Sequence, residues 1–192
     1  MLTDKPVLLK PTYTSPWVPD ADAVHEELHN LPWERRLDAP RSECFISDST
    51  DVYTYGRGRG QRTYIPHPWT LDLLLLRKDL RLRLGTDFNV CFLNRYHNGS
   101  DHLGWHADDS PEMDSNHPIA VVSFGASRII EFRRKPSEEF SKAKAEYAVL
   151  LAHGSLLVMP AGMQEEQQHR IPKSGSSRNE RISLTFRVYK RP

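Results

Sequence analysis

Only two cysteines, Cys44 and Cys91, occur in the 192 residues. They supply no disulfide framework, and neither sits in a C-x-x-C pair, so a structural zinc site is unsupported. The expected setting is therefore reducing and cytoplasmic, or nuclear in a eukaryotic cell. Long hydrophobic runs are also missing. Apolar runs such as Leu73 to Leu76 fall far short of the roughly 20 residues that a bilayer crossing needs. The opening M-L-T-D-K-P has neither the basic region nor the apolar stretch of a signal peptide, so no membrane partner is expected. Charge of one sign is not in excess either. Lys and Arg number 26 against 25 Asp and Glu, a net charge of +1. That balance excludes a protein that coats DNA through bulk charge, and any nucleic-acid contact must come from a local patch. Internal repeats and long low-complexity tracts are absent. The 38% hydrophobic and 27% charged content suits one globular domain, and a chain of this length buries roughly 70% of its unfolded surface.

What is present changes character along the chain. Pro6, Pro11, Pro16 and Pro19 make residues 1–19 read as an extended arm. Asp20 or Asp22 can cap a short helix through Leu28, which Leu31-Pro32 ends. The stretch G-R-G-R-G-Q-R, Gly56 to Arg62, reads as a flexible basic loop. Thr70 begins a second helix that runs to about Leu82, with Gly85 near its end. From Asn89 onward the period shifts. N-V-C-F-L-N-R-Y, I-A-V-V-S-F, Y-A-V-L-L-A, S-L-L-V-M and R-I-S-L-T-F-R-V alternate or nearly so, separated by turn residues. A helical front followed by many short strands predicts an α+β chain whose strands form a sandwich or jelly roll.

The strand-rich half carries the chemistry. His106-Ala107-Asp108 puts two metal-ligand types two residues apart, on one face of an extended segment. With 9 His and 13 Asp in the chain, chance supplies roughly 0.6 such pairs, so this pair decides nothing alone. His169 offers a third ligand. Two histidines and a carboxylate form the facial triad of non-haem iron(II) oxygenases, which leaves positions open for co-substrate and oxygen. Zinc proteases also use two histidines and a carboxylate but draw them from H-E-x-x-H on one helix, a motif expected to be absent here. His97, His102, His117 and His153 compete as ligands but read more simply as loop or hydrogen-bonded histidines.

In R-I-S-L-T-F-R-V, Ile182, Leu184, Phe186 and Val188 alternate with Arg181, Ser183, Thr185 and Arg187. Its polar side either faces water or lines a cavity near His169. Arginine suits the second role because its planar fork makes paired bonds to a carboxylate, at roughly 1.5–3 kcal/mol for each charged bond. Asn94 and Tyr96 share a face in N-R-Y and offer neutral hydrogen bonds.

Taken together, N-R-Y, G-W-H-A-D-D, V-S-F-G, H-G-S-L-L, a lone His and R-I-S-L-T-F-R resemble the AlkB family of nucleic-acid dealkylases, most of all its DNA-repair members. The resemblance covers about residues 40–190 and is strong from Asn89. It implies a double-stranded β-helix, a distorted jelly roll, forming a single domain over residues 1–192. Residues 1 to about 85 would be N-terminal helices and a nucleotide-recognition lid, and about 86–192 the catalytic core. It implies iron(II), 2-oxoglutarate and O2, with His106, Asp108 and His169 as iron ligands. Arg181 would pair with the distal carboxylate of 2-oxoglutarate and Arg187 would lie near its metal-bound end. Asn94, Tyr96, Ser183 and Thr185 would make further co-substrate contacts. Asp109 would read the exocyclic amine of the damaged base, beside Trp105, and Tyr55, or else Tyr53 in the lid's Y-T-Y-G, would stack on it. Two departures stand out. Ser183 replaces the asparagine common on that strand, weakening one co-substrate contact, and Ser110 replaces the Glu that follows Asp109 in some members, which bears on lesion choice.

The implied activity is oxidative demethylation of 1-methyladenine or 3-methylcytosine in single- or double-stranded DNA, or in RNA, by a monomer. The base must be flipped out of a duplex, and Arg41, Arg57, Arg59, Arg62, Arg133 and Arg134 are candidate phosphate contacts. Two other readings stay open. One is an oxygenase with the same iron core acting on protein, lipid or small molecules, and the other is an inactive β-helix used for binding.

Overall fold

The computed structural model describes residues 8–37, 39–55, 61–136, 144–175 and 179–190, with Tyr55 described by its backbone alone. Helix α1, Ala21–Leu28, follows Asp20 at the N-cap position, although no side-chain cap bond forms. Helix α2, Leu71–Leu84, buries Leu73, Leu76 and Leu80, which the helical period stacks on one side. Gly85 ends it in the left-handed conformation, with φ at 66° and its N–H bonded to the Arg81 carbonyl.

The main sheet has six antiparallel strands: β1 (Thr12–Thr14), β10 (Ser155–Met159), β7 (Ile119–Gly125), β12 (Arg181–Arg187), β5 (Val90–Tyr96) and β2 (Ser42–Ser47), in that order. The second sheet orders β6 (Leu103–His106), β11 (Gln167–Ile171), β8 (Arg128–Arg134) and β9 (Tyr147–Leu151). A hairpin of β3 (Tyr53–Tyr55) and β4 (Arg62–Tyr64) stands apart, and a short α3, Met163–Glu166, precedes β11. Two facing antiparallel sheets make the jelly roll that the strand spacing predicts.

The front of the chain is less helical than its sequence suggests. The proline-rich arm contributes β1, which pairs with β10, and Ser42–Ser47 pairs with β5 along its whole length. The main sheet therefore takes two strands from before residue 85.

Alternation sorts the main sheet into two faces. Ala120, Val122, Phe124, Ile182, Leu184 and Phe186 pack against Leu28 of α1 and against Leu73, Leu76 and Leu80 of α2. Ile119, Val121 and Tyr96 turn the other way, toward Ile130, Phe132 and Ile171 of the second sheet. Because side chains alternate, Arg181, Ser183, Thr185 and Arg187 point away from the helices, into the space between the sheets. Among the described residues, no helix is long and apolar enough to cross a membrane.

Candidate active site

Register lays the inner face of the main sheet out in rows. Ser155, Ser123, Ser183, Asn94 and Glu43 lie opposite one another across five strands, and all five are buried. On one side of this row Arg181 pairs with Tyr96; on the other Thr185 pairs with Phe92, and beyond it Arg187 with Val90. The polar face of β12 is thus wholly buried. A buried polar row demands partners, and here it obtains some from neighbouring strands.

The second sheet brings the metal-type ligands to meet this face. His106 on β6 and His169 on β11 are register partners, with ring centroids 4.2 Å apart. Asp108 lies just past β6, its backbone N–H bonded to Gln164 Oε1 at 3.0 Å. One carboxylate oxygen is 3.7 Å from His106 Nε2 and the other 3.9 Å from His169 Nε2. The three ligand atoms all fall within 4.8 Å of one another. His106 Nδ1 lies 3.0 Å from the Gly104 carbonyl, so that nitrogen carries the proton and Nε2 keeps its lone pair for a metal.

Electrostatics prepare the same state. Burial pushes the His169 imidazole down to about 3, and neighbouring His106 reinforces this. His106 is lowered as well, chiefly by burial, against the pull of Asp108. Burial alone would raise the Asp108 carboxyl, but Arg187 and the two imidazoles outweigh it and hold it ionised. Both histidines are therefore neutral and the carboxylate charged, as metal binding requires.

The two arginines of β12 occupy different surroundings. Arg187 Nη2 bonds Asp108 Oδ1 at 2.7 Å. Arg181 is fully buried against the Tyr96 ring, 5.3 Å from its centroid, and bonds Ser123 Oγ at 2.9 Å. Burial lowers Arg181 to about 10. Its Nε and Nη1, with Nε of Arg187 and Oδ2 of Asp108, are buried atoms without hydrogen-bond partners among the described residues. Orphaned groups of this kind are costly unless something fills them. Three unmatched guanidinium nitrogens suit a dicarboxylate and one unmatched carboxylate oxygen beside two imidazoles suits a cation. The residues fit iron(II) and 2-oxoglutarate.

A cavity of about 320 Å³ opens beside these groups. His106, Asp108, Arg187 and Asn94 line its chemical end, and Tyr53, Tyr64, Phe92, Leu103 and Met113 supply apolar walls. Tyr53 is buried, stacks on Tyr64 at 6.0 Å and bonds Ser110 Oγ at 3.2 Å.

Other expected substrate contacts sit elsewhere. Asp109 is not among the cavity's lining residues; its carboxylate is 49% exposed and paired with Lys135 Nζ at 2.6 Å. The Trp105 ring is engaged by the guanidiniums of Arg133 and Arg170, at 4.3 and 4.6 Å from its centroid, and Trp105 is not among the residues that line the cavity. Arg41 and Arg62 do line the cavity, but both are engaged there by other side chains, Arg41 by Asn94 and Glu43 and Arg62 by Glu43. Arg134 pairs with Glu146 and Arg133 with Gln168. Arg57, Arg59 and the side chain of Tyr55 lie outside the described residues.

Sequence reasoning missed Glu43, 2% exposed and held by Arg41, Arg62 and Tyr64. No local signal marks a buried carboxylate in S-E-C-F-I-S. It also missed His25-Glu26-Glu27-Leu28-His29, where the H-E-x-x-H spacing was signal enough.

Known proteins fit this geometry. Residues 24–187 match the 2OG-Fe(II) oxygenase superfamily. The chain belongs to that superfamily. Its members' cofactors are iron(II), 2-oxoglutarate and O2, which agrees with the His106, Asp108 and His169 cluster. Alpha-ketoglutarate-dependent dioxygenase alkB homolog 3 of Bos taurus is 36% identical over 190 residues, covering 90% of this chain and 63% of that protein. DNA oxidative demethylase ALKBH2 of Homo sapiens is 37% identical over 150 residues, covering 77% and 56% respectively. The chain thus spans a little under two thirds of the length of these curated relatives. The solved structure of OsALKBH1 superposes with a TM-score of 0.58 at 16% identity, covering 96% of this chain and 100% of that one, which shows the shared fold.

Proposed function

We propose that this protein is an iron(II)- and 2-oxoglutarate-dependent dioxygenase that demethylates N-alkylated bases, 1-methyladenine and 3-methylcytosine, in DNA. RNA is a second substrate class, and the protein acts as a monomer in the cytoplasm, or in the nucleus of a eukaryotic cell. The observation that carries this reading is the cavity itself, with metal-type ligands at one end and tyrosine and phenylalanine walls that match a flat base. At about 320 Å³ it lies at the small end of ligand pockets, suited to one ring and not to an extended chain.

Iron(II), 2-oxoglutarate and O2 supply oxidation of the N-methyl group, which leaves as formaldehyde while 2-oxoglutarate becomes succinate and CO2. His106, Asp108 and His169 hold the metal, and Arg187 keeps Asp108 charged and oriented. Arg181 gives its unmatched nitrogens to the distal carboxylate of 2-oxoglutarate, with Tyr96 beside it; Asn94, Ser183 and Thr185 complete the polar floor. Tyr55, or else Tyr53, would stack on the flipped base, and Phe92, Leu103 and Met113 exclude water from the cavity. Asp109 reads the exocyclic amine after leaving Lys135, with Trp105 nearby in the chain and held close to Arg133 and Arg170.

The test offers methylated single-stranded DNA with iron(II) and 2-oxoglutarate, using His106→Ala as control. Formaldehyde and the unmethylated base are expected from the wild type only. Succinate without formaldehyde from any methylated nucleic acid would sink the dealkylase reading while leaving an oxygenase.

A further inference from the structure

His25 and His29 are four residues apart, so α1 presents both rings on one side. Facing them is Glu180, the residue before β12. Its Oε1 makes a short contact with His29 Nε2 and lies 3.5 Å from His25 Nε2. These ligand atoms fall within 4.8 Å of one another, and all three residues are half-buried.

Each side chain is already turned for coordination. His29 Nε2 is hydrogen-bonded to Glu180 Oε1, and a metal would take the place of the proton between them; Nδ1, 3.2 Å from the Glu26 carbonyl, can then hold the ring's proton. Arg95 Nε holds Glu180 Oε2 at 2.6 Å, so Oε1 is the oxygen turned to the two histidines. His25 Nε2 is buried and has no hydrogen-bond partner among the described residues. A third imidazole, His153, stands 5.8 Å from His25, but its Nδ1 accepts from the Gly125 N–H at 2.8 Å. The neutral ring then carries its proton on Nε2 and walls the site without ligating.

We propose that His25, His29 and Glu180 form a second metal site that binds a zinc-class divalent ion, with water completing its shell. Two imidazole nitrogens and one carboxylate oxygen are the donor set of such an ion, whereas Mg2+ and Ca2+ take oxygen ligands. Tetrahedral bonds of about 2.0 Å place ligand atoms roughly 3.3 Å apart, close to the His25–Glu180 separation. His25 also stacks on Phe124, whose side chain belongs to the helix-facing core. The site therefore lies on the opposite side of the main sheet from the oxygenase triad. It ties the last turn of α1 to the residue before Arg181, clamping the strand that carries the co-substrate arginines.

The test uses Zn2+ alone on chelator-stripped protein, with bound metal measured per chain. Wild type is expected to hold about two equivalents and a His106→Ala/His169→Ala double variant about one. Adding His29→Ala to the double variant should remove the remaining equivalent and abolish the zinc-induced rise in melting temperature. His25→Gln, which keeps side-chain bulk, is a second probe, and circular dichroism confirms that each variant folds without metal. In the double variant Co2+ should give a visible absorption band that His25→Gln removes. The proposal is overturned if the double variant binds no zinc at micromolar free metal. It is equally overturned if folded His29→Ala and His25→Gln forms retain that zinc.

Discussion

At the scale of the residue, Arg187 and Asp108 depend on each other. Both are buried, and their ion pair is joined by the two imidazoles. Removing one partner of such a pair leaves an uncompensated charge and costs about 3–5 kcal/mol. Arg187→Ala should lose stability of that order in urea unfolding and also fail to retain iron. Arg181 has a different duty, since its fork bonds Ser123 through Nη2 and lies against the Tyr96 ring, with Nε and Nη1 unmatched among the described residues. Arg181→Lys keeps the charge but loses the planar fork, and should raise the KM for 2-oxoglutarate by about 10- to 100-fold, the loss of one charged hydrogen bond. Titration of the triad has a definite sign. Folded His106 and His169 resist protonation, His169 down to about 3, whereas unfolded histidine titrates near 6.5. Between those limits the unfolded chain binds protons that the folded chain refuses, so stability falls as pH falls. Asp108, held below its ordinary value, adds loss in the same direction. Metal-free protein should therefore melt progressively lower from about pH 7 to about pH 4.5, and His169→Phe should flatten that slope. A pH-independent melting temperature in the metal-free wild type would contradict this assignment of charges.

At the scale of the element, strand β12 was legible from its alternation and β2 was not. In R-I-S-L-T-F-R the apolar and polar residues separate cleanly, so both the strand and its two faces can be read. What the alternation left open was whether the polar face met water, and burial of every residue from Arg181 to Arg187 resolves that. In S-E-C-F-I-S the pattern misleads because Glu43, normally a sign of exposure, is buried by three partners from Arg41, Arg62 and Tyr64. Those partners come from a neighbouring position and from another hairpin, which no local window contains. The triad was legible in type and spacing, since His106, Asp108 and His169 do converge. Asp109 and Trp105 were legible only as neighbours of the triad, because Lys135 and the arginines that engage them lie far along the chain. The β3–β4 hairpin supplies the cavity's aromatic wall, and each base stacked on such a wall gains about 1–3 kcal/mol. Tyr53→Ala should accordingly reduce kcat/KM on a methylated oligonucleotide by about 5- to 150-fold. Succinate formed without substrate should change little, which separates a base contact from damage to the metal site.

At the scale of the whole molecule, much of the positive charge among the described residues is spent on internal partners. Arg35 pairs with Asp101, Arg36 with Glu34, Arg77 with Asp48, Arg95 with Glu180, Arg134 with Glu146 and Arg170 with Glu131. With a net charge of +1, few phosphates can be neutralised at once. DNA affinity should fall with salt along a shallow line, of logarithmic slope smaller than about 4 in magnitude by fluorescence anisotropy. A slope near −8 would mean a broad cationic track that the paired charges of the described residues do not provide. Trp105, held close to Arg133 and Arg170, has a further consequence of a photophysical kind. It precedes His106 directly, and it is one of four tryptophans in the chain. An indole beside two cations, one peptide bond from a metal ligand, is a native emitter tuned to that ligand's environment. Its fluorescence should shift or quench as the centre is loaded, and Trp105→Phe should silence that response, so occupancy can be followed without any attached dye.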